Sequence, residues 1–588
     1  MSGAIQRNLY NSFLILPFTV LTIGPGLHDV NGFPKLVAVV IGTLILVLKY
    51  PVNLKITSRA ASIPWLMVVS YGILQLIDLN DLNSFLLGTY MRNGGYITLI
   101  CLATIFTIVS NLPISKVNEF KNIFLISIYG LILYAVLLFF DLLPYKTILS
   151  YQGSLTLTLT NPNFTSAYLG IAISGVFILL IYRERNFLQY IVLLPVLFYF
   201  LFKTQSLQGF LVVLINFGIY LIYERTKFFL LIKKFKNYIF LIALGVSFSL
   251  VGNLSNISQW LTTNGSVKQR LSYWGLSIDI WRDHFLTGVG LDNLRNFTTT
   301  YRSLELVKQE GMFTAPDRSH NVVLDHFANG GLFTGLLWLI FVVLVSRLAL
   351  KNIILAKHLQ TSSNLLFVSV CWFGYLVQSL ISVDHLALTV LGFISAGFIV
   401  AFSREAEKQQ NLNLIASKKA RKVVLGFATI LFLIFSIFSV KIFEYERNAY
   451  KFLINNDSNA LKSVYNSKYV VAQTLEDVAV KVSQAKDFEN AYLLALKLLR
   501  HDPTSHQAYY MRAVYFESKN DLAQAKKDML RALELDQFNS VYLLGMAVLE
   551  YNLGNVPTAR EYLNDTIMVN PNQTGIDIVT NLLAKKVQ

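Results

Sequence analysis

Apolar runs separated by short polar stretches recur along most of the chain. Many reach about 20 residues, the length a helix needs to cross the hydrocarbon core of a bilayer. The pattern predicts about thirteen membrane spans. They lie near residues 11–27, 34–50, 62–79, 95–111, 122–142, 163–182, 187–202, 207–224, 235–252, 321–346, 362–382, 386–403 and 423–441. The first run has no small-residue cleavage site and is read as a retained helix. After residue 442 the long apolar runs stop.

The polar tail repeats itself. Segments beginning at Asp487, Asp521 and Asn555 align, and Ala491, Ala525 and Ala559 recur 34 residues apart. The pairs Asp502–Pro503 and Asn570–Pro571 close equivalent helices, with Asp536–Gln537 between them. A 34-residue period with small residues at the helix crossing resembles tetratricopeptide repeats. Such helix pairs bury their apolar faces only by stacking on neighbours. The fold expected is therefore all-α: a polytopic membrane domain over 1–442, then an α-solenoid over 443–588, whose first part, to residue 486, is a degenerate helical cap. The solenoid serves either as a docking surface for a protein partner or acceptor, or as a lid packed on the membrane domain.

Charge adds sidedness. The chain carries 50 Lys and Arg against 34 Asp and Glu, a net charge of +16. In a soluble protein this would point to nucleic acid. Here the basic residues crowd alternate short loops: Lys49–Arg59, Lys116–Lys121, Arg183–Arg185, Arg225–Lys236, Arg347–Lys357 and Arg404–Lys422. The other short loops hold only Lys35, Arg92, Lys146 and Lys203. By the positive-inside rule the first set is cytoplasmic. The N-terminus is then inside, and the loop 253–320 and the tail are extracytoplasmic. Nucleic acid is excluded as a partner; membrane lipid is expected. Both cysteines, Cys101 and Cys371, lie in apolar runs, which gives neither a disulfide framework nor a thiolate metal site.

Several polar clusters fall on the outer side: Gly88–Gly95 with Arg92, Thr160–Phe164, Lys203–Gly209 with Gln208, Ser266–Trp274 with Arg270, Phe285–Leu294, Asp317–Asn321, and Ser382–His385. Ionisable groups at membrane depth are costly unless paired or facing a wet cavity. Their convergence therefore suggests an outward polar cavity. Arginine forks suit a diphosphate, and a histidine can accept a proton near neutral pH. Each residue also has a structural reading. Arg92 and Lys203 suit interfacial anchors, Asn321 a helix cap, and His326 a packed core residue. Gly288 and Gly290 suit turn formers, and Asp384 and His385 a short turn. The histidines show no metal-ligand spacing.

The runs from Arg270 to Leu294 and from Ala315 to Leu339, with Asn161–Asn163, resemble the O-antigen ligase and polymerase family (Wzy/WaaL-like). Gly88–Gly95 and the tail are similar to the branch of that family that carries tetratricopeptide repeats. The resemblance implies a GT-C-like membrane domain and an inverting glycosyltransferase that uses neither metal nor cofactor. It implies transfer of a glycan from an undecaprenyl-diphosphate carrier to a hydroxyl on a lipid or protein acceptor, at the bacterial cytoplasmic membrane. Carried over, His320 is the base or acceptor-orienting group and Arg270 neutralises the departing diphosphate. Arg92, Lys203, Gln208, Arg318 and Asn321 are substrate-binding candidates. One feature departs from the pattern: Ser206 is followed by Leu207 and Gln208, where many relatives place an arginine. Lys203, Arg92 or Arg318 would have to supply that charge. A polysaccharide polymerase shares the same chemistry. A lipid-linked sugar transporter and a non-catalytic membrane scaffold are the remaining alternatives.

Overall fold

A computed structural model describes residues 13–50, 58–77, 81–143, 150–151, 153–183, 187–224, 265–312, 314–355, 362–406 and 418–585. The membrane part contains α1 (Ile15–Leu21), α2 (Gly32–Lys49), α3 (Arg59–Ile77), α4 (Leu82–Leu87), α5 (Tyr96–Ser110), α6 (Val117–Phe139), α7 (Pro162–Ile181), α8 (Phe187–Lys203) and α9 (Gln208–Tyr223). A surface segment follows with α10 (Gly265–Asp283), α11 (Arg295–Tyr301) and α12 (Leu304–Glu310). Then come α13 (Val322–Leu355), α14 (Ser362–Ile381), α15 (Leu386–Ala406) and α16 (Lys418–Asn455). Among the described residues the only strands are a two-residue pair, Ser150–Tyr151 with Ser154–Leu155.

Among the described residues eight helices are long and apolar enough to cross a membrane, and three shorter apolar helices, Tyr96–Ser110, Leu188–Lys203 and Gln208–Tyr223, pack among them. The expected span near 11–27 is reduced to the seven-residue α1. The one near 235–252 and the basic loop 225–236 lie outside the described residues. Helix α15 is wholly buried and packs on α5 and α14. By contrast α16 exposes Phe427, Ile430, Leu431, Ile434 and Ile437. An apolar surface of this extent needs lipid rather than water beside it; the protein is a multi-pass membrane protein.

Lys35 is not in a loop. It sits in the first turn of α2, fully buried, and its Nζ donates to the carbonyls of Thr19 and Thr22 at 2.8 Å. It thereby satisfies carbonyls left open at the end of α1.

Helix α13 breaks at Gly331, where φ is 67°. A side chain there would meet the Leu286 carbonyl at 2.1 Å. The carbonyls of Ala328 and Asn329, near the break, accept from the N–H groups of Val289 and Gly290, each at 2.9 Å. The Gly288–Gly290 turn is thus a brace for α13, as its turn-forming reading expects.

The tail continues with α17 (Ser458–Asn466), α18 (Ala472–Gln484), α19 (Phe488–His501), α20 (His506–Ser518), α21 (Leu522–Leu535), α22 (Ser540–Asn552), α23 (Val556–Val569) and α24 (Ile576–Lys585). Helices α19, α21 and α23 start and stop at equivalent places, and Ala491, Ala525 and Ala559 are all buried. Asp487 and Asp521 cap the first two, each accepting a backbone N–H. Consecutive helices from α18 to α24 pack on each other. The expected boundary at 442 falls inside α16, whose unbroken backbone carries the bundle into the tail.

The tail also folds back. Arg302 donates to Asp536 at 2.7 Å with both side chains about 1% exposed, and its second arm donates to the Thr314 carbonyl at 3.0 Å. His501 meets Asp81 at 2.9 Å, and Asn83 donates to the Val470 carbonyl at 3.3 Å. Those contacts make the tail a lid on the surface segment and on α4.

Candidate functional site

The site is built from helix ends. Asn321 caps α13, its side-chain oxygen accepting from the N–H groups of Val323 (3.0 Å) and Leu324 (3.3 Å). One turn further in, the Asp325 carboxylate reaches back to the Ser319 N–H at 2.8 Å and hydroxyl at 2.6 Å. The turn between them is pinned at both ends. His320 lies inside it with φ of 57°, in the left-handed region that side chains rarely adopt.

The His320 ring packs against Tyr273 of α10, with centroids 5.2 Å apart. Tyr273 in turn donates to Glu310 at 2.6 Å. Arg270, one turn before Tyr273, donates its Nε to the Ile381 carbonyl at the end of α14, at 2.9 Å. Arg92 donates its Nε to Asp317 at 2.5 Å and lies 5.5 Å from the centre of the Phe164 ring. Phe164 packs on His385 at 4.9 Å. The structure therefore brings Arg92, Arg270, Asp317 and His320 to one lip of the bundle.

The electrostatics of the lip favour a neutral imidazole. Burial, with Arg92 and Arg270 nearby, outweighs Asp317 and pushes His320 down to about 4. Its Nδ1 is buried and has no hydrogen-bond partner among the described residues. Burial alone would raise Asp317; the Arg92 guanidinium, with His320 and Arg318 behind it, holds that carboxyl well below the usual range.

Below the lip lies a small cavity of about 60 Å³ with largely apolar walls, edged by the charged and polar groups Arg92, Arg318, Asp292, Asp325, His326 and Asp384. Arg318 forms a buried ion pair with Asp292. The Asp292 carboxylate also accepts from the N–H groups of Thr89 (2.8 Å) and Gly94 (3.0 Å). This explains the Gly88–Gly95 run: its backbone wraps that carboxylate, and a side chain at Gly88, where φ is 83°, would meet it at 2.3 Å. Burial lifts Asp384 to about 7 despite Arg318. His326 pairs its Nδ1 with the Tyr71 hydroxyl at 3.0 Å and packs on Trp338 at 4.6 Å. It is a packed core histidine that also edges the cavity.

The remaining candidates separate. Arg318 faces the cavity but already has Asp292 as partner. The Asn321 oxygen is committed to its cap. Gln208 is buried at the start of α9 with both side-chain polar atoms unpaired. Lys203 is exposed over the Tyr199 ring and shares no hydrogen bond or ion pair with the cluster among the described residues. Asn161 caps α7, and Asn163 accepts from Ser206 at 2.8 Å, tying α7 to the turn before α9.

Sequence reasoning missed Asp292 and Asp325. Asp325 was detectable, since a carboxylate one turn inside an apolar span is itself a signal. Asp292 was not, because its partners come from a loop some two hundred residues away. Among the described residues no group of three or more His, Cys, Asp or Glu side chains is arranged to hold a metal ion.

A comparison with curated proteins finds no match. Residues 153–339, which hold Arg270, Asp317 and His320 but neither Arg92 nor the tail, match the family model for O-antigen ligase.

Proposed function

We propose that the protein transfers a glycan from an undecaprenyl-diphosphate carrier to an acceptor hydroxyl on the extracytoplasmic side of the membrane. The carrying observation is a half-buried His320 imidazole packed on Tyr273 and within electrostatic reach of Arg92, Arg270 and Asp317 at one lip of the bundle. The loop charges support the outward orientation. The matched family supports glycan transfer by a ligase or a polymerase, and the extracytoplasmic tail, as a docking surface for an acceptor, favours the ligase reading.

In this mechanism the acceptor oxygen attacks the anomeric carbon and its proton passes to the imidazole. The bond from that carbon to the phosphate oxygen breaks, and its electron pair leaves with the diphosphate. Negative charge on the diphosphate grows as the bond lengthens. Arg270 and Arg92 stabilise it more in the transition state than in the ground state. For Arg92 this requires the diphosphate to compete with Asp317. That competition favours a doubly charged ligand over a neutral one, and gives the resting site a charge balance of its own. Lys203 and Gln208 would contact the lipid headgroup or the glycan further out.

The test is transfer by the purified full-length protein, supplied with a lipid-linked glycan and candidate acceptors. One discrete product supports the ligase reading. A ladder of lengths would turn it into a polymerase, and no transfer to any hydroxyl would reject it.

A further inference from the structure

A second and larger cavity lies away from the lip, between α11 and the inner helices of the tail. It offers about 520 Å³, within the about 300–1,000 Å³ of a pocket that holds a small ligand. Helices α18, α20 and α22 form its tail side. A neighbouring cavity, running past α4, shares Arg295, Asn296, Gln473, Glu476 and Asp502 with it. That neighbour shares Leu291 and Asp292 with the cavity under the lip. Three cavities thus share walls from the tail to the arginine cluster, the cleft at the tail being much the largest and the other two offering about 60 Å³ each.

The lining chemistry is rich in uncharged hydrogen-bonding groups. Side-chain amides come from Asn296, Gln473, Gln484, Gln507 and Asn539. Gln507 keeps its Oε1 buried without a hydrogen-bond partner among the described residues. Tyr510 and Tyr542 stack with centroids 4.8 Å apart and edge the same space. Burial raises Glu476 to about 7 and also raises Asp502, although Arg295 opposes both. The Arg302 charge is already matched by Asp536. Arg295 has no hydrogen bond or ion pair from its guanidinium among the described residues, and it stands where the two outer cavities meet. Amides and carboxyls offer donors and acceptors side by side, the arrangement that vicinal hydroxyls need. Aromatic faces accept the apolar faces of sugar rings.

We infer that the cleft between α11 and the tail is an oligosaccharide subsite that holds the sugars of the donor glycan remote from the reacting bond. The inference rests on the glycan-transfer reading for the identity of the donor. A donor with its diphosphate at Arg92 and Arg270 extends away from the lip, and the cleft lies on the same face of the bundle beneath the tail, beyond the walls it shares with the inner cavities. The lid made by the tail then selects glycans by length and composition, apart from the chemistry at His320.

The test uses the full-length protein in lipid nanodiscs and free oligosaccharides cut from bacterial surface polysaccharides, carrying neither lipid nor diphosphate. Binding is read by saturation-transfer NMR. The expected result is binding that strengthens with chain length and weakens about tenfold in Arg295→Ala and in Gln507→Ala. His320→Ala should bind like the parent. The inference is overturned if no oligosaccharide binds, if the two cleft variants bind unchanged, or if a random peptide library binds in their place. Saccharide binding with no transfer activity would instead reject the transfer reading and leave the subsite standing.

Discussion

The lip around His320 and the inner cluster around Arg318 are made from adjacent residues, yet they are held differently. Arg318 turns inward to Asp292, and that carboxylate is itself gripped by two backbone N–H groups. The pair is 9% and 3% exposed. Asp317 turns the other way and meets Arg92, and this pair is 20% and 22% exposed. The inner pair is buried, its carboxylate held by backbone N–H groups, and it braces the loops. The outer pair is reachable, and a ligand with more charge than one carboxylate can compete for it. Of two neighbouring charges, then, one supports architecture and the other remains available for chemistry. Burial and partner count separate them, where residue type does not.

The sharpest way to break this comparison is at the lip. His320→Ala should lower transfer by about 10²–10⁴-fold, the usual worth of a positioned base, with an unchanged melting curve. Near-parental transfer would remove the histidine from the chemistry. The inner cluster should behave in the opposite way. Asp292→Ala leaves the buried Arg318 without its counter-ion and should cost about 3–5 kcal/mol of stability, seen as a lower thermal midpoint or loss of folded protein. An unchanged midpoint would mean that the pair is not structural.

A smaller effect is expected at Arg92. An ammonium lacks the planar fork of a guanidinium. Arg92→Lys should therefore weaken donor binding by about tenfold, or about 1.4 kcal/mol, while the fold persists. Equal donor affinity in the variant would place the diphosphate elsewhere. The smallest contrast is at Lys203, which lies apart from the cluster. Lys203→Ala should change donor affinity by less than about threefold, within the about 0.5 kcal/mol of an ordinary surface change. A larger loss in a donor titration would mean that this lysine replaces the arginine missing after Ser206.

Much of the bundle was legible in the sequence because spans announce themselves by length and apolarity alone. Twelve of the expected spans coincide with helices, including α1, which is far shorter than its apolar run. Helix packing hid the burial of Lys35 and the continuity of α16 across the expected boundary, since both depend on contacts between distant segments. At the lip, the Asp317–Asn321 run stands out in the sequence as one polar loop. Only the folded chain distinguishes the inward Arg318 from the outward Asp317. The same holds for the tail: its 34-residue register could be read from alanine spacing, whereas the Arg302–Asp536 tether that turns it into a lid could not.

The most direct measurement of the central claim is the pH dependence of kcat/KM, which reports the free enzyme. Burial and the two arginines keep His320 neutral down to about 4, against an ordinary value of 6.5. Because its folded-state value is lowered, falling pH first penalises the folded protein below 6.5 and protonates the base only near 4. Transfer should therefore persist through pH 6 and fall with an acid limb near pH 4, in protein still shown to be folded. An acid limb centred near 6.5, with folding intact, would contradict a desolvated, neutral His320 as the proton acceptor.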